Sequence, residues 1–248
     1  MSRILALAYG VASYLAFLAA FLYAIGFVGN LPVPKSIDSG PAGPPLSAAL
    51  VDALLLLLFA VPHSVMARPA FKRWWTKFVP PPVERSTYVL VSSLALALLF
   101  WQWRPIPGLV WDVTNPVGRW LLAAVFWLGW VVVLVSTFLI DHFDLFGLRQ
   151  VYLFASGRAY SPPAFKVGGL YRYVRHPIML GFLLAFWATP TMTVGHLLFA
   201  VATTAYILIA LQLEERDLVG YHGDQYRAYR MQAGMLLPLP RFSKSSRT

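Results

Sequence analysis

Long apolar runs separated by short polar segments dominate this sequence. Residues 4–28 contain no charged side chain, and further apolar runs cover residues 46–66, 87–103 and 120–140. A helix needs about 20 mainly apolar residues to cross the hydrocarbon core of a bilayer. The pattern therefore predicts an all-α polytopic membrane protein whose first four transmembrane helices occupy residues 1–140.

The last apolar run, residues 178–213, contains no Asp, Glu, Lys or Arg and is too long for one span. It divides at Pro190, because proline removes a backbone donor and bends a helix. We predict a C-terminal helical hairpin here, which makes five to six spans in all. The first arm of the hairpin is short unless its helix begins near Gly169. Residues 141–248 then face the cytoplasm and form one integrated domain with the first four helices.

The basic residues predict the orientation. The net charge is +10, from 20 Lys and Arg against 10 Asp and Glu. Four spans and a hairpin place 17 of the 20 basic residues on one side, which leaves Lys35, Arg104 and Arg119 on the other. Positively charged loops stay in the cytoplasm, so we expect both termini on the cytoplasmic side of a bacterial inner membrane. The charge then follows from topology and requires no nucleic-acid partner.

Composition supports a membrane protein and removes several kinds of chemistry. Apolar residues make up 58% of the chain and charged residues 12%, against about 45–50% and about 25% in soluble domains. The absence of cysteine excludes a disulfide, a thiolate metal ligand and a cysteine nucleophile. The five histidines show no HExxH-type spacing, so we expect no metal site.

Polar side chains collect where the predicted hairpin begins and ends. These residues are Arg172, Arg175, His176, Glu214 and Glu215, with Pro177 directly after His176, and Tyr226 and Tyr229 follow. Because a hairpin returns to the side where it began, the two groups should meet at one membrane face. Arginine and histidine can pair a carboxylate, a glutamate can pair an ammonium, and tyrosines can flank an aromatic base. A ligand that carries an ammonium, a carboxylate and a purine would match this site.

The same pattern resembles the isoprenylcysteine carboxyl methyltransferase and phospholipid methyltransferase group. The shared features are Arg175-His176-Pro177, the paired glutamates, and a tyrosine-containing stretch that ends in proline, within residues 169–248. The resemblance implies S-adenosylmethionine (SAM) as the cofactor. It also implies the residues that hold SAM, namely Arg172, Arg175, His176, Pro177, Met179, Gly181, Glu214, Glu215, Tyr226 and Tyr229. Met179 departs from the group, which often has tyrosine two residues after the proline.

The N-terminal region resembles NnrU-type membrane proteins. The whole chain, including residues 142–150 and 175–190, resembles the methanethiol S-methyltransferases. This resemblance implies SAM-dependent methylation of methanethiol to dimethyl sulfide in a lipid bilayer, with hydrogen sulfide as a second small acceptor. No oligomeric state is predicted. Two alternatives are a lipid or isoprenoid methyltransferase, and a haem-associated or transport protein that uses His63, His142 and His196.

Methylation of a thiol requires an activated sulfur. The thiolate is the nucleophile, and methanethiol should ionise above the cysteine value of about 8.5. A nearby base or cation should therefore help. The candidates are His142, Asp144, Arg149, Tyr171 and His63. We expect Asp144 to orient His142 or to accept the proton itself, while Arg149 could instead stabilise thiolate.

Overall fold

The computed structural model describes residues 1–238, which form ten α-helices and one two-stranded sheet. In chain order the elements are α1 (Arg3–Val28), α2 (Pro45–Ala67), α3 (Pro69–Trp75), α4 (Pro81–Gln102), β1 (Leu109–Asp112), α5 (Pro116–Ile140), α6 (His142–Leu145), α7 (Leu148–Ala155), a 3-10 turn (Gly169–Arg172), α8 (Pro177–Trp187), β2 (Thr191–Thr193), α9 (Val194–His222) and α10 (Asp224–Arg230). Three of the 17 basic residues assigned to the cytoplasmic side, Arg241, Lys244 and Arg247, and Pro240 of the stretch that ends in proline lie outside the described residues.

Five of the described helices, α1, α2, α4, α5 and α9, are long and apolar enough to cross a membrane. This confirms the all-α polytopic fold. Several helices begin with proline, which has no N–H to leave unsatisfied at the first helical position and has a helical φ. These prolines are Pro45, Pro81, Pro116 and Pro177. The helices α4 and α5 therefore begin several residues before the apolar runs that predicted them.

The first arm of the hairpin is the short helix α8. Its 11 residues rise about 16 Å at ~1.5 Å per residue, roughly half of a bilayer core. The helix does not extend back to Gly169, whose φ of +54° lies in the left-handed region. Beyond Trp187 the chain reaches β2 without helical structure. The hairpin therefore consists of one half-length arm and one full span, α9.

The two strands pair at one end of the helix bundle. The antiparallel pair β1–β2 joins the connection between α4 and α5 to the connection between α8 and α9. We call this end of the bundle the sheet end. Lys35 is also there, because its Nζ donates to the carbonyl oxygen of Trp101 over 2.7 Å. The described basic residues other than Lys35, Arg104 and Arg119 follow the helices to the opposite end, which we call the basic end.

Helix α8 packs mainly on α5 through small residues. A Cβ added to Gly181 would lie 2.6 Å from the carbonyl oxygen of Gly129. Ala185, one turn after Gly181, contacts the same part of α5. Small residues at this spacing let the backbones of membrane helices approach closely. The structure therefore places Gly181 in a close helix contact with α5.

The largest core cluster lies toward the sheet end. It includes Phe27, Trp103 and Phe199, whose rings pack edge to face. Asp52 is fully buried, and its Oδ1 accepts a 2.9 Å hydrogen bond from the backbone nitrogen of Arg104. Asp52 therefore fixes the end of α4 and lies apart from the polar groups of the basic end.

Candidate functional site

The two ends of the hairpin meet at Glu215. Its Oε1 lies 2.6 Å from Arg175 Nε and 3.2 Å from His176 Nε2, and its Oε2 lies 3.3 Å from Arg230 Nε. The side chain of Glu215 is only 5% exposed. Pro177 follows these residues directly as the first residue of α8. The predicted meeting of the RHP motif with the glutamates is present, and we call this contact the hairpin junction.

Residues after α10 form hydrogen bonds with the segment Arg175-His176-Pro177. Arg175 Nη1 donates to the carbonyl oxygen of Ala233 over 2.5 Å, and the backbone nitrogen of Arg175 donates to Gly234 over 2.8 Å. The hydroxyl of Tyr229 donates to the carbonyl oxygen of Tyr171 over 2.5 Å. Burial raises the pKa of Tyr229 to about 12, so the phenol keeps the proton that it donates. Arg175 and Tyr229 therefore stabilise the junction.

Glu214 differs from its neighbour Glu215. Its side chain is 44% exposed, and its Oε2 lies 3.9 Å from His176 Nδ1 without a hydrogen bond to any described residue. The carboxylate interacts electrostatically with the phenols of Tyr88, Tyr171 and Tyr206. Of the paired glutamates, Glu214 is the one that is open to a cationic ligand.

Tyr171 is a neutral hydrogen-bond donor at this site. Burial, followed by the charge of Glu214, raises the pKa of its phenol. The hydroxyl donates to the carbonyl oxygen of Ser136 over 3.3 Å, in the last turns of α5. The phenol proton of Tyr171 points at a carbonyl oxygen, which cannot take it up, so Tyr171 is better suited to positioning than to accepting a proton from a thiol.

The residues of the basic end fit the chemical groups of SAM. Glu214 is free to pair an ammonium, and Arg172 is exposed beside the junction. The hydroxyl of Tyr226 is buried and has no hydrogen-bond partner among the described residues, which leaves it available to a ligand. Met179 is half-buried in the first turn of α8. A cleft of about 320 Å³ adjoins the junction and is lined by Gln212, Glu215, Arg216, Val219 and Arg230.

A second polar group lies at the end of α5 and is centred on His142, which is 5% exposed. His142 Nδ1 lies 2.8 Å from Thr137 Oγ1, and Nε2 lies 2.9 Å from the hydroxyl of Tyr14. Burial lowers the pKa of His142, although the nearby carboxylate of Asp141 opposes this effect. Tyr14 belongs to α1 and is separated from His142 by 128 positions. Tyr14 was not among the residues predicted from the sequence.

The structure does not bring Asp144 to His142. Asp144 Oδ1 lies 2.9 Å from Arg149 Nη1, and Oδ2 accepts a 3.3 Å hydrogen bond from the hydroxyl of Tyr160. The backbone nitrogen of Asp144 is capped by Asp141. Asp144 and Arg149 therefore form an ion pair with each other, and the partners of His142 are Tyr14 and Thr137. This geometry replaces the expected His142–Asp144 pair.

Aromatic rings surround His142. Phe138 stacks on the imidazole at a centroid distance of 4.2 Å, and Phe146 and Phe143 lie at 4.9 and 5.4 Å. An adjoining cleft of about 420 Å³ is lined by Leu7, Asp141, Phe143, Leu148, Arg149 and Tyr152. The space beside His142 is therefore mostly apolar, which suits a small apolar ligand.

His63 has a similar hydrogen-bond arrangement between α2 and α4. Its Nδ1 lies 3.0 Å from Ser92 Oγ, and its Nε2 lies 3.0 Å from the hydroxyl of Tyr88. Tyr88 packs in a cluster with Phe17 and Phe146, the same rings that contact His142. The two histidines therefore lie on either side of one aromatic cluster.

The third histidine of the haem hypothesis lies elsewhere. His196 Nε2 is 3.0 Å from the carbonyl oxygen of Phe186, and its helix begins at the sheet end. Within residues 1–238, no three His, Asp or Glu side chains converge as metal ligands would. His63, His142 and His196 therefore do not form one site.

The fold describes a multi-pass membrane protein, and the two polar groups form candidate sites at its basic end. The family model "NnrU protein" matches residues 52–221. Methanethiol S-methyltransferase from Mycobacterium tuberculosis is 62% identical over 97% of this chain and 98% of that protein. Methanethiol S-methyltransferase 2 from Bradyrhizobium diazoefficiens is 60% identical over 96% of this chain and 91% of that protein.

A third relative, methanethiol S-methyltransferase from Crocosphaera subtropica, is 56% identical over 96% of this chain and 93% of that protein. No solved structure matches. The chain belongs to the NnrU family and to the methanethiol S-methyltransferases, and it is accordingly a methyltransferase.

Proposed function

We propose that the protein transfers the methyl group of SAM to methanethiol and so forms dimethyl sulfide. The observation that carries this proposal is the extent of the match, since 62% identity covers 97% of the chain. The match therefore includes both the hairpin junction and the end of α5. The fit of the junction to the groups of SAM supports the choice of methyl donor.

The basic end provides a separate group for each part of the cofactor. Glu214 pairs the ammonium, because it is the exposed glutamate of the pair. Arg172 pairs the carboxylate, and Tyr226 and Tyr229 lie beside the adenine. Arg175, His176 and Pro177 hold the shape of this site through Glu215 and the start of α8. When bound, SAM supplies the electrophilic methyl group.

The acceptor side lies between α1 and the end of α5. Tyr171 links it to the donor side, because its hydroxyl reaches Ser136 while the charge of Glu214 acts on its phenol. His142 is the base that assists loss of the thiol proton, and its low pKa keeps it neutral at neutral pH. The charges of a thiolate and a sulfonium cancel as methyl transfer proceeds, so the aromatic surroundings favour reaction over solvation of the ions.

The acceptor range follows from the size and polarity of this space. Methanethiol has no charge to bury in its thiol form and fits between apolar rings. Hydrogen sulfide belongs to the same class of nucleophile and is smaller, so it is a second acceptor. The basic end faces the cytoplasm of a bacterial inner membrane, because positively charged loops remain on that side. This orientation gives the site access to cytoplasmic SAM.

Purified protein in detergent tests the proposed activity. Release of S-adenosylhomocysteine should depend on both SAM and methanethiol, and hydrogen sulfide should also support it. SAM binding is measured separately by calorimetry. Binding of SAM without turnover of either acceptor would contradict the proposed substrates, whereas turnover that does not require SAM would contradict the proposed donor.

A further inference from the structure

The hydrogen bonds around His142 define where the protons lie. Thr137 donates its only hydroxyl proton to the carbonyl oxygen of Leu134 over 2.7 Å. Thr137 Oγ1 can therefore only accept from His142, so Nδ1 carries the imidazole proton. Nε2 of the neutral ring is then an acceptor, and Tyr14 must donate to it. The phenol oxygen of Tyr14 keeps its lone pairs for another donor.

On the basis of the proposed function, we infer that Tyr14 is a catalytic residue that contacts the thiol and relays its proton to His142. The S–H group donates to the phenol oxygen, whose own proton already faces Nε2 of His142 over 2.9 Å. His142 thus acts through Tyr14 as the final proton acceptor. Thr137 positions the ring by holding the proton on Nδ1.

The relay balances in protons and electrons. The thiol proton passes to Tyr14 Oη while the phenol proton passes to Nε2 of His142. A sulfur lone pair forms the bond to the methyl carbon, and the bond from that carbon to the donor sulfur breaks with its electron pair remaining on the donor. The products are dimethyl sulfide, the demethylated donor and an imidazolium, which returns its proton to water at the basic end.

Nearby charges favour a proton relay at His142 over one through the similar hydrogen bonds of His63 with Tyr88 and Ser92. The charged group that acts on His142 is the carboxylate of Asp141, and an opposite charge stabilises an imidazolium. The charged group that acts on His63 is the guanidinium of Arg85, so an imidazolium there would face a like charge. Arg85 Nε donates to the carbonyl oxygen of Leu145 in α6 over 2.8 Å.

The other rings of residues 1–238 that contact His142 belong to phenylalanines, which do not titrate. Phe17 of α1, Phe138 of α5, and Phe143 and Phe146 at α6 contact the imidazole with their rings. Tyr14 itself contacts the rings of Phe17, Phe143 and Phe146 at centroid distances of 5.9 to 6.5 Å. Phe143 also lines the 420 Å³ cleft, so one ring borders both the cleft and Tyr14.

The variant Tyr14→Phe tests the relay, because it removes one oxygen and keeps the ring. At neutral pH we expect turnover to fall within the ~10²–10⁴-fold range of general-base assistance, while the affinity for SAM stays unchanged. The deficit should shrink as pH rises, since more methanethiol is then ionised. The double variant Tyr14→Phe with His142→Gln should lose no more than the single variants, because both act in one relay.

Tyr88→Phe is the matched control, since it removes the corresponding hydroxyl from the His63 arrangement. It should not produce a deficit that high pH rescues. Wild-type turnover in Tyr14→Phe, or a deficit that is the same at every pH, would overturn the relay while leaving the proposed function intact. If the wild-type protein itself makes no dimethyl sulfide, the proposed function fails and not the relay alone.

Discussion

Arg175 Nε and Glu215 Oε1 are 2.6 Å apart, and both side chains are less than a tenth exposed. The pair joins the residue before His176 to the basic end of α9, so it closes the hairpin where the chain enters and leaves the membrane. Removing one partner of a buried ion pair typically costs about 3–5 kcal/mol, because an uncompensated charge remains. Glu215 therefore contributes mainly to the folded structure of the site.

The two adjacent glutamates should give different phenotypes. We expect Glu215→Gln to lower thermal stability, since Arg175 and Arg230 lose their carboxylate. Glu214→Gln should leave stability near wild type and weaken SAM binding by about 1.5–3 kcal/mol, the value of a hydrogen bond to a charged group. Thermal unfolding and calorimetry on the same preparations check this. Unchanged SAM affinity in Glu214→Gln would remove the proposed ammonium ligand.

The contact between α5 and α8 is predicted to be intolerant of even one methyl group. In Gly181→Ala the new Cβ would meet the backbone oxygen of Gly129 at 2.6 Å, and overpacking typically costs about 1–3 kcal/mol. We expect a lower melting temperature and reduced yield from membranes. Gly168→Ala is the control, because a Cβ there has nothing within 4 Å. Equal stability of the two variants would argue against the close helix contact.

The acid side of the pH–rate profile reports on His142. Burial holds the pKa of His142 below its usual 6.5, so the ring is still mostly neutral and able to accept a proton at pH 6.5. We expect kcat/KM for methanethiol to fall with decreasing pH only below pH 6.5. We expect the His142→Gln variant to lose this decline on the acid side. Asp144→Asn should retain it, because Asp144 contacts Arg149 instead. A decline in wild-type kcat/KM centred above pH 6.5 would contradict the assignment of His142 as the base.

Large or charged thiols should be excluded. Glutathione carries several charges that Phe138, Phe143 and Phe146 cannot pair, and burying unpaired charges costs far more than the thiol contact gains. We expect no detectable methylation of glutathione, whereas ethanethiol, which is small and uncharged, should be accepted. Mass spectrometry of the thioether products compares them. Comparable turnover of glutathione would contradict an apolar acceptor site.

The apolar runs predicted the helices well, because membrane spans depend mainly on length and composition. They also predicted the hairpin, whose short first arm follows from Gly169 and Pro177. The contact of Arg175 with Glu215 could be predicted because a hairpin must bring its two ends together. These features depend on local sequence and on simple topology.

Features that depend on helix rotation and long-range packing could not be predicted. Nothing in the sequence distinguishes Glu214 from Glu215, and their opposite exposures arise from the direction in which each points on α9. Tyr14 lies in an apolar helix 128 positions from His142, so no local pattern joins them. Gly181 resembled part of the cofactor motif, although its backbone contacts α5.

Transfer of the methyl group itself tests the central claim most directly. SAM with a trideuterated methyl group is supplied with unlabelled methanethiol to the purified protein, and dimethyl sulfide in the headspace is analysed by mass spectrometry. We predict dimethyl sulfide that carries one deuterated and one unlabelled methyl group, formed only when protein and both substrates are present. Unlabelled dimethyl sulfide, or none while the protein binds SAM and remains folded, would contradict it.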